Sequence, residues 1–381
     1  MELTQNRNVN YFLHLLSCAI NGAEPEVWEG VDYSAILELA KKHQIYNIIA
    51  SEIASLPNAD SETKASFRNH NLSEITRMIA VNNERGLIFE ELKAKKIKFM
   101  PLKGLIIKDY YPKESMRQMS DNDILFDESK RDDVAQIMKA LGYKPTATGE
   151  NSDDYFKPPY CTFEFHRTLF FDEREFSPKF DNLWNNAAPD DENESMYHMA
   201  LDDVYIYNVC HMYKHYSTAG CGVRFLADNY LFLKKENDEL NWGYINSQLE
   251  KYGISEYERK SRELAFKIFS EERLTEEQIA LLETYINNGI YGKAGIRLSK
   301  TIEALADGGS VKNAKLKYYL LRLFPPKKKM IADYRVLEKH LYLLPFYYVY
   351  RLIKAIINSK STIDEIKTVN GVNGDKDSGS K

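Results

Sequence analysis

The stretch that decides the fold is Ser120-Asp-Asn-Asp-Ile-Leu-Phe126, in which two acids lead into a short apolar run. The pattern predicts a β-strand, and its period of two places the carboxylates of Asp121 and Asp123 on one face. Two carboxylates on one face can present hard oxygen ligands to Mg²⁺ ions that also bind phosphates. Taken alone, this spacing fits a solvated strand edge as well, so the neighbouring segments must decide.

The segment upstream predicts a turn that could hold phosphate. Ile97-Lys-Phe-Met-Pro-Leu-Lys-Gly104 has the pattern of a short strand that ends at a glycine, and Leu105–Tyr111 predicts a short helix stopped by Pro112. Backbone N–H groups at such a turn, together with the ammonium of Lys103, are suited to binding phosphate oxygens.

The segment downstream, Tyr160-Cys-Thr-Phe-Glu-Phe-His166, alternates like a strand. It predicts one face with Thr162, Glu164 and His166, and an opposite face with the two phenylalanines and Cys161. A carboxylate between two phenylalanines is costly to bury without a cation or a donor. The alternative is a glutamate on the solvated face of an antiparallel sheet.

The order of these elements resembles the nucleotidyltransferase superfamily that includes DNA polymerase beta and the aminoglycoside nucleotidyltransferases. Pro101-Leu-Lys-Gly-Leu105, Arg117, Ser120–Leu125 and Phe163-Glu-Phe-His166 are more closely similar to a family of uncharacterised bacterial nucleotidyltransferases (NTP_transf_5). The resemblance is strong over residues 95–170. Its weaker matches in the flanks are Glu38–His43, His211, His215, Arg224 and Asp228.

The resemblance implies a catalytic role for three acids. Asp121 and Asp123 would bind Mg²⁺ or Mn²⁺, and Glu164 would complete the metal triad or deprotonate the attacking hydroxyl. The implied reaction is in-line attack of an acceptor hydroxyl on the α-phosphate of an NTP, with loss of pyrophosphate. Catalysis would consist mainly of positioning and charge neutralisation.

The resemblance also implies three nucleotide-binding residues: Lys103, Gly104 and Arg117. The superfamily usually has a serine after the turn glycine, and its hydroxyl helps to hold the triphosphate. This chain has Leu105 there. Lys103 is expected to substitute by charge. Arg117 is expected to pair with phosphate or to hold Asp121, the alternative being a surface arginine in a loop.

The composition argues against several classes of protein. The chain of 381 residues has a formal net charge of −5, which argues against a dedicated nucleic-acid-binding protein. Its four cysteines form no CxxC pair, so neither a disulfide framework nor a zinc site is expected, and a cytoplasmic location fits best. No apolar run reaches the roughly 18 residues that span a bilayer.

The pattern along the chain predicts an α+β protein, a nucleotidyltransferase-like mixed-sheet core flanked by helical regions. We expect an N-terminal helical region at 1–80, the core at 81–180, a C-terminal helical domain at 194–358 and a disordered tail at 359–381.

The basic C-terminal part of the chain can be interpreted in two ways. Twelve lysines and arginines but only two acids occur between residues 312 and 360, beside several tyrosines. An anionic partner could bind there: RNA, a membrane surface or an anionic sugar chain. Alternatively, the aromatic residues fill a helical bundle and the lysines solvate its outside.

Three functions remain open at this point. The preferred one is metal-dependent nucleotidyl transfer from an NTP to an unknown acceptor, which could be a small molecule, a sugar-type metabolite or a protein side chain. The second is a non-catalytic module that binds a nucleotide or partner on the same fold. The third is a transferase acting on RNA ends, which the net charge of −5 disfavours.

Overall fold

The computed structural model describes residues 3–149, 151–170, 180, 183–290, 294–306, 310–334, 336–357 and 369. The tail predicted to be disordered, 359–381, lies outside the described residues apart from Val369. So does 171–179, the end of the predicted core.

Four helices precede the sheet: α1 Arg7–Asn21, α2 Tyr33–Lys42, α3 Ala50–Ser55 and α4 Ser61–Ala94. Three of them begin at a capping side chain, Asn6, Asp32 or Asp60, which accepts hydrogen bonds from N–H groups of the first turn. The long α4 runs through residue 80, so the division predicted there falls within one continuous helix. The domain limits therefore stay a proposal.

The core alternates short strands and helices. Its elements are β1 Phe99–Pro101, α5 Gly104–Ile107, β2 Asn122–Phe126, α6 Arg131–Ala140, β3 Lys144–Thr148, β4 Ser152–Lys157 and β5 Cys161–His166. The five strands form one sheet in the order β1-β2-β5-β4-β3. Only β2 and β5 pair in parallel. The sheet is therefore mixed, as predicted.

Helices make up most of the remainder. They are α7 Leu183–Asn186, α8 Leu201–Thr218, α9 Val223–Glu236, α10 Trp242–Lys251, α11 Ser255–Phe269, α12 Glu276–Asn288, α13 Ala294–Ala306, α14 Val311–Leu323, α15 Lys327–Asp333, α16 Val336–Lys339 and α17 Leu344–Ile357. A two-stranded ribbon, β6 Ala188–Pro189 with β7 Tyr197–His198, lies between α7 and α8. In the part of the chain that the structure describes, no helix has both the length and the apolar character needed to cross a bilayer.

The two faces of the sheet pack into two different cores, and this positions the site. Ile124, Phe126, Phe163 and Phe165 pack with buried residues of α4 and α6. Leu125, which points the opposite way, joins a second core built from both the N-terminal helices and α8 to α12. Because side chains alternate along a strand, the acids of β2 and β5 lie on this second face.

Candidate active site

The carboxylates of Asp123 and Glu164 meet across the parallel pair of strands. The register of β2 and β5 sets Asp123 directly opposite Glu164. Phe163 and Phe165 are fully buried on the other face of β5, and this fixes the direction in which Glu164 points. Asp123 itself is buried, whereas Glu164 keeps contact with solvent.

His166 bridges these two acids. Its Nε2 lies 2.7 Å from Oδ1 of Asp123 and 3.6 Å from Oε2 of Glu164. Because a carboxylate only accepts hydrogen bonds, Nε2 carries the hydrogen and donates it. Burial lowers the pKa of His166, but its hydrogen bond to Asp123 and its ion pair with Glu164 outweigh this effect, so the pKa is raised. The imidazole therefore holds the two carboxylates together.

Lys103 neutralises Asp123 from the other side. Its Nζ lies 2.5 Å from Oδ1 of Asp123. Burial alone would raise the pKa of Asp123, but the charge of Lys103 and the hydrogen bond from His166 hold it well below its usual range. The backbone of Lys103 has a φ of 51°, in the left-handed region that favours glycine. Such strain persists where the surrounding structure enforces it, often at functional sites.

Gly104 occupies a position with little room for a side chain. A Cβ there would lie 3.0 Å from Sδ of Met119 and 3.3 Å from Nη1 of Arg117. The close packing of these two side chains against the turn therefore favours glycine.

Asp121 lies one residue before β2 and completes the predicted set of acids. Burial raises the pKa of its carboxyl, and the negative charges of Asp123 and Glu164 raise it further, to about 6. The three carboxylates are thus near enough to repel one another, and Lys103 offsets only part of this repulsion.

Arg117 connects the core to the helical wall of the site. Its Nε and Nη2 donate to the two carboxylate oxygens of Asp228 on α9, at 2.8 and 2.9 Å. The hydroxyl of Tyr111 donates to the same carboxylate at 2.7 Å. The side chains of Arg117 and Asp228 are both buried. The surface-arginine alternative is therefore wrong, and the guanidinium pairs with Asp228.

A cleft separates the sheet from α8 and α9. Its lining residues from the core are Lys103, Gly104, Ile107, Arg117, Met119, Ser120, Asp121 and Asp123, and those from the two helices are Asn208, His211, Arg224, Phe225, Asp228 and Asn229. Nη1 of Arg224 donates to Oε1 of Gln44 and to the carbonyl of Gln118. Arg224 and Asp228, two of the weaker family matches in the flanks, thus both line the cleft. Glu164 lies beside this cleft, on the next strand.

A protein-family profile matches the part of the chain that forms this site. The profile of a family described as an uncharacterised nucleotidyltransferase matches residues 29–270, more than half of the chain. The chain belongs to this family. Membership confirms the resemblance seen in the sequence, and it supports a nucleotidyl-transfer function.

A solved structure similar to this chain is the solution structure of the antibiotic-resistance factor ANT(2'')-Ia, at 10% identity and a TM-score of 0.36. The similarity covers 48% of this chain and 97% of that one. No curated protein matches the chain significantly.

The donor set fits a divalent metal ion. Ligand atoms of Asp123, Glu164 and His166 all lie within 4.8 Å of one another. A hard cation binds oxygen at about 2.0–2.6 Å, so its ligand atoms lie within about 5 Å of one another. Among the described residues Asp121 stands outside this compact group; the pKa of its carboxyl is raised first by burial and then by the negative charges of Asp123 and Glu164. Lys103 competes with a cation for Asp123.

His166 is the residue of this site that sequence reasoning left without a role. The alternation predicts that it shares a face with Glu164, and the structure has it there. Its contact with Asp123 depends on the pairing of two strands some forty residues apart. The residue type was the only available signal, because a histidine near two acids is a common metal ligand or ligand-orienting group.

Proposed function

We propose that this protein transfers a nucleoside monophosphate from an NTP to an acceptor hydroxyl, using Mg²⁺ or Mn²⁺. The observation that carries the proposal is the convergence of Asp123 and Glu164 across β2 and β5, with Asp121 beside them. Three acids with one lysine and one histidine leave negative charge that a divalent ion would neutralise.

Asp121, Asp123 and Glu164 would hold the ion. When bound, it would neutralise the triphosphate and polarise the α-phosphate. His166 orients Asp123 through its Nε2 hydrogen, as outer-shell partners of metal ligands do, and its ring lies beside Glu164. Its role is to position the ligands and not to react.

Transfer of the nucleoside monophosphate needs a base that takes the proton of the acceptor hydroxyl. The acceptor oxygen forms a bond to the α-phosphorus while the bond from that phosphorus to the bridging oxygen of the leaving pyrophosphate breaks. The proton of the acceptor hydroxyl passes to a base, and Glu164 is the proposed acceptor of that proton. It suits the role because its carboxylate is the member of the triad that keeps contact with solvent.

The phosphate side of the site rests on Lys103, Gly104 and Arg117. All three line the cleft. We propose that the Lys103 ammonium leaves Asp123 for the triphosphate when the metal binds, which would replace the missing hydroxyl at Leu105 by a charge. Arg117 remains bound to Asp228 through Nε and Nη2. Its third nitrogen, Nη1, donates to the carbonyl of Gln118 and is the one proposed to contact a phosphate oxygen.

The test compares two pairs of substitutions. Asp121→Asn/Asp123→Asn should abolish Mn²⁺ binding, measured calorimetrically. It should also abolish the release of pyrophosphate from NTPs with a metabolite extract as the acceptor source. The matched control Glu90→Gln/Glu91→Gln removes two exposed carboxylates from α4 and should leave both readouts unchanged. Full pyrophosphate release by the first variant, with its fold retained by circular dichroism, would disprove the proposal.

The contact between Lys103 and Asp123 favours a second candidate, a nucleotide-binding module without turnover. If Lys103 stays on Asp123, no metal reaches that carboxylate. Calorimetry would then show NTP binding that does not depend on Mg²⁺, and no pyrophosphate would be released. Pyrophosphate release by the wild-type protein would eliminate this candidate.

A further inference from the structure

The outer face of α17 consists of apolar side chains. Phe346, Val349, Tyr350 and Ile353 follow one another at helical spacing, and each is more than half exposed. Positions i, i+3, i+4 and i+7 fall on one stripe of a helix, which in a globular protein normally faces the core. We call these four residues the outer stripe.

The opposite side of α17 is anchored, and this fixes the direction of the outer stripe. The ring of Tyr347 packs against Tyr334 at 4.7 Å between centroids. The hydroxyl of Tyr348 donates to the carbonyl of Pro325 at 2.7 Å. Nη1 of Arg351 pairs with Asp333 at 3.2 Å. Tyr350, at the edge of the outer stripe, also contacts Tyr334 at 6.1 Å between centroids while staying half exposed. The helix therefore packs through its inner side and leaves an apolar outer side exposed.

Further exposed apolar residues occur on the neighbouring segments. Leu341 and Tyr342 come just before α17, and Tyr342 is 72% exposed. On α14, whose C-cap residue Phe324 packs against Tyr348, the exposed residues include Leu316, Leu320 and Leu323. Clusters of exposed apolar side chains, such as the outer stripe, can mark an interaction site.

The segments that pack against α17 are rich in positive charge. The two acids between 312 and 360 are both engaged: Asp333 pairs with Arg351, and Glu338 pairs with Arg131 at 3.1 Å. The exposed lysines of the described part of this region are Lys312, Lys317, Lys327, Lys329 and Lys339. The region thus offers cations and apolar side chains together.

We propose that the outer stripe and its lysines bind the surface of an anionic phospholipid bilayer. Helices that lie in a membrane interface combine an apolar face with flanking lysines and arginines. Anionic headgroups attract such cations, and tyrosine and phenylalanine favour the headgroup level. The aliphatic members of the stripe decide against RNA, since nucleic acids are bound by stacking aromatics in a basic groove. This binding is independent of the proposed catalysis.

The experiment is vesicle flotation with the full-length protein. The protein should float with vesicles of phosphatidylcholine mixed with phosphatidylglycerol, and much less with phosphatidylcholine alone. Phe346→Ser/Tyr350→Ser and, separately, Lys327→Glu/Lys329→Glu should each weaken binding by at least about tenfold. The control Leu72→Ser/Ile79→Ser removes two equally exposed apolar side chains from α4 and should bind like the wild type.

Three results would overturn the proposal. The first is that the wild type fails to float with anionic vesicles. The second is that Phe346→Ser/Tyr350→Ser floats as well as the wild type, with circular dichroism showing that both are folded. The third is a dimer, seen by light scattering, that this variant abolishes without any lipid binding, because a second copy would then cover the stripe.

Discussion

The buried charges on the two walls of the cleft are paired to different extents. On the helical wall, Asp228 of α9 accepts two hydrogen bonds from Arg117 of the core, and the hydroxyl of Tyr111 donates a third. On the sheet wall, three acids share Lys103 and His166, and the pKa of Asp121 is raised to about 6, first by burial and then by the negative charges of Asp123 and Glu164.

This difference separates structure from function. A buried pair that is complete holds two elements together, here the core and α9. A buried cluster that is left short of positive charge is costly, and such clusters are characteristic of sites that bind a cation or carry out chemistry. We therefore expect substitutions in the helical wall to affect stability and substitutions in the sheet wall to affect activity.

The largest effect is expected from breaking the helical pair. Arg117→Met or Asp228→Asn leaves a buried group without its partner and should reduce the free energy of unfolding by about 3–5 kcal/mol. The double variant should lose less than the sum of the two single losses, because the partners compensate each other. Urea unfolding of the four proteins measures this cycle. Single losses below about 1 kcal/mol would show that the pair behaves as a solvated surface contact.

The next effect concerns Glu164 on the sheet wall. Glu164→Gln should lower pyrophosphate release by about 10²- to 10³-fold, because it removes a metal ligand or the base. The free energy of unfolding should change by less than about 1 kcal/mol, since this side chain is the most accessible of the bridged acids. The measurements are steady-state turnover and urea unfolding. A large loss of stability with retained turnover would reverse the roles assigned to the two walls.

A smaller effect is expected from replacing Lys103, which lines the cleft. Lys103→Met removes a competitor for Asp123 and should tighten Mn²⁺ binding by about tenfold, while turnover falls because the triphosphate loses a cation. Calorimetry measures the affinity. Lys108→Met is the matched control, because Lys108 also pairs with a carboxylate, that of Glu114, but lies away from the cleft lining. Unchanged Mn²⁺ affinity in Lys103→Met would contradict the competition.

The sequence was sufficient for the local parts of the site. Alternation placed Glu164 and His166 on one face, and the glycine turn before a short helix was confirmed at Gly104. These features depend on neighbours within a few residues, so a periodic pattern reveals them. The mixed sheet and the family could also be predicted, because the order of the motifs is specific.

The contacts between distant segments could not be predicted. The partner of Asp123 is set by the register of β2 and β5, and the partner of Arg117 is set by the docking of α9. Both depend on tertiary packing, which no local pattern contains. The outer stripe of α17 is a similar case: its period predicts a buried face, and only the packing of Tyr348 on the other side shows that the face is exposed.

The smallest expected effect is that Asp121 and His43 change the free energy of unfolding in opposite directions as the pH falls. The pKa of Asp121 is raised from about 3.8 to about 6, chiefly by burial. Below about pH 6 the folded state therefore binds more protons than the unfolded state, and acidification toward about pH 4 stabilises the metal-free protein through this group. Burial lowers the pKa of His43, which accepts a hydrogen bond from Val223 at the start of α9, to about 3. Acidification below about pH 6.5 destabilises the protein through this group, because the unfolded state takes up the proton first.

Urea unfolding between about pH 4 and pH 8 in EDTA separates these two contributions. Asp121→Asn should lose stability more steeply than the wild type as the pH falls from 6 to 4, and it should be the more stable protein above pH 6, where the repulsion is relieved. His43→Gln keeps an acceptor for Val223 and should lose stability less steeply on acidification. The exposed controls Asp238→Asn and His340→Gln should follow the wild-type curve. If Asp121→Asn also follows that curve, the excess negative charge on the sheet wall is dissipated by solvent, and the contrast between the two walls fails.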